Sequence, residues 1–96
     1  MNSKQRAYLK SLASTLSPII SIGKETVTPE LTEAVRECFN THELIKLNVL
    51  KNCGDLPRSM AEVLADRTGS EVVQVIGKKI VLYKENKDNK KIELPK

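Results

Sequence analysis

Aromatic side chains are scarce in this chain: Tyr8, Phe39 and Tyr83 are the full set, and tryptophan is absent. Modules that bind single-stranded nucleic acid by stacking bases use several exposed rings, so recognition here is expected to work through backbone phosphates and shape instead. Histidine occurs once, at His42, and cysteine twice, at Cys38 and Cys53, without a CxxC. A zinc site needs three or four ligands, and a nucleophile needs a base with a third orienting group; Cys38, four residues before His42, falls on an apolar helix stripe where burial is expected, and neither constellation stands out. In a reducing compartment two such cysteines are expected as free thiols. Long apolar runs are missing as well. The longest, Ile80 to Tyr83, is four residues, against about 20 for a membrane-spanning helix. The N-terminus interleaves Lys4, Arg6 and Lys10 with apolar positions and lacks the continuous stretch of a secretory signal, so a cytoplasmic protein is expected.

What is present is one domain's worth of aliphatic residues. At 96 residues and 10.7 kDa, the chain must build its core from Leu, Ile and Val. The net charge of +4 conceals a pattern. Residues 1–24 carry four basic groups and no acid, residues 25–76 carry five basic and nine acidic groups, and residues 77–96 carry seven lysines and three acids. Two basic ends flank an acidic middle. Ends brought together by folding would form a positive face suited to phosphate backbones.

Periodicity gives the elements. Leu9, Leu12, Ala13 and Leu16 recur at helical spacing over residues 3–15, and Pro18 stops that helix. Ile19 to Ile22 reads as a buried strand. Thr28 is a suitable N-cap with Pro29 at the first helical position, and Leu31, Ala34, Val35 and Cys38 form the buried stripe. Glu30, Glu33 and Glu37 line the outside of that helix, and His42 is placed to close it. Ile45, Leu47 and Val49 alternate with Lys46 and Asn48 as in a strand. Pro57 opens a third helix with Met60, Val63 and Leu64 inward, and Gly69 suits a left-handed C-cap. Residues 71–76 and 80–84 should pair as a hairpin across Gly77-Lys78-Lys79. Residues 86–91 read as a mobile loop or tail, with Ile92 to Leu94 docking at an edge. The order αβαβαββ predicts a two-layer α/β sandwich on a four-stranded mixed sheet, its first three strands parallel and the last antiparallel.

Gly23-Lys24, between a strand and a helix, invites comparison with a phosphate loop. A nucleotide-hydrolysing loop requires glycine where Pro18 stands and Ser or Thr where Glu25 stands, so hydrolysis is not supported. The geometry that survives is a glycine permitting close backbone approach, followed by a helix N-terminus, which suits one phosphate without catalysis. Lys78 and Lys79 would project from the hairpin as a positive finger, and Lys84, Lys87, Lys90 and Lys91 extend the charge.

Four separated motifs together resemble the bacterial YhbY-like family of stand-alone CRM domains (chloroplast RNA splicing and ribosome maturation). They are Lys4-Gln5-Arg6-Ala7-Tyr8-Leu9-Lys10, Ile22-Gly23-Lys24 running into Val27-Thr28, His42-Glu43-Leu44-Ile45-Lys46, and Gln74 to Lys84. The resemblance implies a fold similar to the C-terminal domain of translation initiation factor three and association with rRNA of large-subunit precursors. It makes residues 1–96 a single domain, with a core of about residues 3–84 and a charged tail of residues 85–96. The family's GxxG loop, likened to the KH-domain loop, falls on Gly23, Lys24, Glu25 and Thr26. Threonine replaces the second glycine, and threonine adopts positive φ at a cost.

The expectation is therefore a monomeric, non-catalytic RNA-binding protein without cofactor or metal. Gly23, Lys24, Glu25 and Thr26 would form the loop, with Lys4, Arg6, Lys10, Lys78 and Lys79 widening the charged face. Neutralising about five phosphates of single-stranded RNA would give a log affinity against log salt slope of roughly −3.5. The alternative is a protein-interaction module docking a basic ribosomal protein through Glu30, Glu33 and Glu37.

Overall fold

The computed structural model describes residues 1–24, 26–88 and 90–96. Seven elements follow in the order α1 (Ser3–Ala13), β1 (Ile20–Ile22), α2 (Pro29–Cys38), β2 (Leu44–Val49), α3 (Pro57–Thr68), β3 (Glu71–Ile76) and β4 (Lys79–Tyr83). Their boundaries have local causes. Thr28 caps α2 by accepting the Leu31 N–H at 3.0 Å, with Pro29 in the first turn where no N–H is required. Gly69 ends α3 at φ 71°, a left-handed conformation that glycine adopts without penalty. At the start of α1, Asn2 Oδ1 accepts the Gln5 N–H at 2.8 Å while Gln5 Oε1 accepts the Asn2 N–H, a reciprocal cap that the helical pattern alone did not announce. The α2 helix stops before His42, whose backbone N–H, rather than its imidazole, bonds the Cys38 carbonyl at 2.9 Å.

The strands lie in the order β1-β2-β4-β3. The β1 and β2 strands are parallel, while β4 runs antiparallel to both β2 and β3. The first three strands therefore share a direction as expected, but β4 inserts between β2 and β3. As an edge strand, β1 buries only Ile22 among its apolar residues, and Ile19 ahead of it is 46% exposed. The α1 helix likewise ends short of Leu16, which stays exposed.

Both faces of the central strands carry apolar residues, because β2 and β4 contribute to two cores. On one face Ile45, Leu47, Val49, Ile80 and Leu82 pack against Val35, Phe39, Met60, Ala61 and Leu64 of the α2 and α3 side. On the other, Leu44, Val81, Val73 and Tyr83 pack against Leu9 and Ala13 of α1, with Ile92 and Leu94 alongside. The expected sandwich of sheet and helices thus carries a further layer, α1 and the chain's end, on its second face. The inward stripe of α3 is Met60, Ala61, Leu64 and Thr68, whereas Val63 is 39% exposed. The helix is rotated so that a small alanine, not a valine, meets the sheet.

A bulge between Val72 and Gln74 explains how β3 serves both cores. It sets Val72 opposite Leu82 and Val75 opposite Ile80, so both valines pack on the α3 side while Val73 turns toward α1. Arg6 of α1 donates from Nη1 to the carbonyls of Val72 and Val73 at this irregularity.

Residues after Tyr83 are anchored by Glu43, a carboxylate only 2% exposed. Its Oε2 accepts the Asn86 N–H at 2.9 Å, and its Oε1 accepts the N–H groups of Lys91 and Ile92, the latter at 2.7 Å. Burial works against the charged form, but the three backbone donors, helped by Lys90, overcome it and hold the Glu43 carboxyl below its ordinary range. The described part of residues 86–91 is therefore tied to the domain, contrary to the expected mobile tail. Ile92 docks as anticipated, and Gln5 Nε2 reaches the Pro95 carbonyl at 3.1 Å, so the two chain ends meet.

Candidate nucleic-acid interface

The parallel run of β1, β2 and β3 delivers three connections to one end of the sheet: the loop after Ile22, the segment after Val49 and the turn at Gly77-Lys78. They are stitched together by backbone. Leu50 donates to the Ile22 carbonyl at 2.8 Å, and Val49 donates to the Lys78 carbonyl at 2.7 Å. Lys24, Lys51 and Lys78 are exposed there, without a hydrogen-bonding or ionic partner among the described residues. The α2 and α3 helices both begin at this end, directing the positive ends of their dipoles toward it.

Each expected site residue can now be placed. Gly23 accepts the Thr26 N–H at 3.1 Å, closing a four-residue turn, and a Cβ at Gly23 would sit 3.7 Å from Leu50 Cδ1, an ordinary contact. Glu25 lies outside the described residues. Thr26 has φ 58°, in the left-handed region. Threonine therefore takes a conformation that glycine would adopt without strain, at a penalty of about 1–2 kcal/mol for a residue with a Cβ.

The hairpin turn consists of Gly77 and Lys78 alone. Gly77 has φ 55°, and Lys78 is not among the positive-φ residues, the order of a turn that places glycine first. Lys79 belongs to β4 opposite Asn48 and donates to Asn48 Oδ1. Lys10 is exposed on α1 and shares a cleft with the β3 edge, whereas Arg6 is half-buried against the bulge. Lys4 sits on the first turn of α1 beside Gln5, which reaches Pro95, and close to Met1, whose ammonium lies 3.8 Å from Glu71. That is the opposite end of the sheet from Lys24 and Lys78. The structure thus gathers Gly23, Lys24, Thr26, Lys78 and Lys79, and sets Lys4 and Arg6 apart.

Two residues at this end escaped the sequence reading. Lys51 lies two residues beyond β2, and the parallel pairing of β1 with β2, with Ile22 opposite Val49, brings it to the same end as Lys24. Arg58, in the first turn of α3, lines the same cleft as Lys10. Three of the lysines near the chain's end are used otherwise: Lys84 Nζ donates to the Thr68 carbonyl at 2.9 Å, Lys91 Nζ to the Thr41 carbonyl at 2.9 Å, and Lys90 pairs with Glu85 at 3.6 Å, while Lys87 stays exposed without a partner among the described residues.

Other chemistry is sparse. Cys38 and Cys53 are free thiols, and burial, with Glu37 nearby, pushes the Cys38 thiol up. His42 is exposed with Nδ1 2.8 Å from Thr41 Oγ1. Glu30, Glu33 and Glu37 form the exposed α2 face as expected, with Glu33 engaged by Arg36, which also donates to the Arg67 carbonyl.

A family model described as the CRS1 / YhbY (CRM) domain matches residues 1–84. A protein of Bacillus subtilis (strain 168) named as the probable RNA-binding protein YqeI is 43% identical over 95 residues, covering 99% of each chain. An RNA-binding protein of Haemophilus influenzae is 30% identical over 96 residues, covering 100% of this chain and 96% of the other. The solution structure of a hypothetical protein from Staphylococcus aureus, described there as an RNA-binding candidate, superposes with a TM-score of 0.84 at 44% identity and 99% coverage of both chains.

Proposed function

The chain belongs to the CRS1/YhbY (CRM) domain family, and on that premise we propose that it is a non-catalytic RNA-binding protein that grips sugar-phosphate backbone at the loop end of its sheet. The observation that carries the reading is the convergence of Lys24, Lys51 and Lys78, all exposed and unpartnered among the described residues, on connections tied together by backbone hydrogen bonds. Phosphates bind such a surface by neutralising its cations and releasing counterions, without needing aromatic platforms. The turn from Gly23 to Thr26 offers close backbone approach, and the Thr26 hydroxyl supplies a further donor. The names of the relatives support RNA as the partner. The family resemblance directs the reading to rRNA of large-subunit precursors, where the protein would hold a segment during assembly.

Three phosphates neutralised by these lysines give a slope of log affinity against log salt of roughly −2.1 for single-stranded RNA. Lys24→Glu combined with Lys78→Glu is expected to weaken binding at least about tenfold at moderate salt, across sequences. Electrophoretic or fluorescence titration at several salt concentrations checks this. Salt-independent binding, or undiminished affinity of the double variant, removes the reading. Recovery of the protein crosslinked to rRNA in sedimented large-subunit precursors tests the cellular assignment.

A further inference from the structure

Resting on the RNA-binding reading, we infer that the cleft along the free edge of β3, walled by Lys10 and Arg58, is a second backbone-phosphate site into which the same RNA strand continues from the hairpin turn. The cleft, of about 560 Å³, is bounded by α1, the first turn of α3 and residues 72–76, and among the described residues no Asp or Glu lines it. Lys10 and Arg58 face it from opposite faces of the sheet. Both are exposed and have no partner among the described residues. Two free cations converging on an acid-free concavity favour an anion, and the cleft runs up to Ile76, immediately before Gly77-Lys78. The site is thus continuous with the proposed interface.

The other occupant a sheet edge can take is an added peptide strand, which needs a regular row of free backbone groups. The bulge between Val72 and Gln74 breaks that row, and the Arg6 guanidinium already occupies the Val72 and Val73 carbonyls. What remains is a positively charged trough that offers charge and donors rather than a ladder, and phosphodiesters match it better than an acidic strand.

The test compares wild type, Lys10→Gln/Arg58→Gln and Lys24→Gln/Lys78→Gln on a single-stranded RNA of about 16 nucleotides, the upper range of single-module site sizes. Both cleft residues are exposed, and a thermal melt confirms that each variant is folded. With the cleft occupied, wild type gives a slope of about −3.5, and the Lys10/Arg58 variant a slope shallower by about 1.4, since each lost phosphate contact removes about 0.7. Lys10→Arg/Arg58→Lys retains the wild-type slope. An unchanged slope in Lys10→Gln/Arg58→Gln overturns the cleft while leaving the loop-end reading intact. Loss of binding in that variant alone, with Lys24→Gln/Lys78→Gln unaffected, supports the cleft and overturns the loop end. Poly-glutamate of matched charge displacing the RNA from wild type but not from the cleft variant overturns the inference in favour of an acidic protein.

Discussion

At one end of the sheet Lys84 and Lys91 direct their ammonium groups onto the Thr68 and Thr41 carbonyls, and Lys90 pairs with Glu85. At the other, Lys24, Lys51 and Lys78 project without a partner among the described residues. The same side chain serves opposite purposes at a distance of one strand length. The closed end contains the buried Glu43, which must be satisfied and draws the chain's last segment over itself; in the process Lys84 and Lys91 find helix-end and turn carbonyls, while Lys4 and Lys87 stay exposed there. The open end consists of turns whose backbone groups already bond one another, so Lys24, Lys51 and Lys78 have no local acceptors and remain available to a ligand, although Lys79 beside them donates to Asn48 Oδ1. Charge counted along the chain cannot separate these roles, because lysines of both kinds occur in residues 77–96.

The sharpest way to break this contrast is to remove the anchor. Glu43→Ala leaves the N–H groups of Asn86, Lys91 and Ile92 without their acceptor and is expected to cost about 3 kcal/mol. Denaturant unfolding and faster amide exchange in residues 86–92 would register it, while the salt slope of RNA binding stays unchanged. Because the folded Glu43 carboxyl titrates below its ordinary range, the stability it contributes is present above the unfolded-state value and is lost as pH falls through the lower, folded one. Glu43→Gln should flatten that part of the acid-unfolding profile. A profile indistinguishable from wild type would mean the carboxylate is not the anchor.

Arg6→Gln comes next. It leaves the Val72 and Val73 carbonyls at the bulge without their cationic donor, and a loss of about 1–2 kcal/mol is expected in thermal or denaturant unfolding. A purely RNA-contacting Arg6 would instead leave stability unaltered and lower affinity. Thr26→Gly has a smaller effect of the opposite sign. Relief of the left-handed threonine, offset by the greater freedom of unfolded glycine, should raise stability by about 0.5–1 kcal/mol. Destabilisation would show that the threonine side chain holds the loop. Smallest of all, Lys90→Gln with Lys91→Gln is expected to change stability by under about 1 kcal/mol, the scale of exposed pairs. Its RNA salt slope should match wild type. A shallower slope would erase the distinction between the two ends.

Much of the domain was legible from local pattern. Thr28-Pro29 marked the start of α2, Gly69 marked the end of α3, and Ile45, Leu47 and Val49 announced a strand with an apolar face, because caps and periodicity act over a few residues. The Gly23-Lys24 loop and Lys78 were recognisable as site candidates by type and position. The inward choice of Ala61 over Val63 was not, since helix rotation depends on what the sheet presents. The bulge had a faint signal in the run Val72-Val73-Gln74-Val75, whose apolar residues refuse strict alternation. Glu43 had none. It stood at the head of an alternating strand in the His42 to Lys46 motif with nothing to mark it as an anchor, because its partners lie 43 to 49 positions away.

By itself, the sequence determined the αβαβαββ order, the strand directions, the caps of α2 and α3, the scarcity of rings that argues against base stacking, and the presence of enough lysine for a phosphate-binding face. Those properties follow from short-range backbone chemistry and composition. Tertiary structure alone decided which cations stay free. It inserted β4 between β2 and β3, brought Lys51 to the same end as Lys24 and Arg58 opposite Lys10, and committed Arg6, Lys84 and Lys91 to carbonyls. A lysine's availability depends on whether an acceptor from a distant part of the chain lies within reach, and only the packed chain settles that.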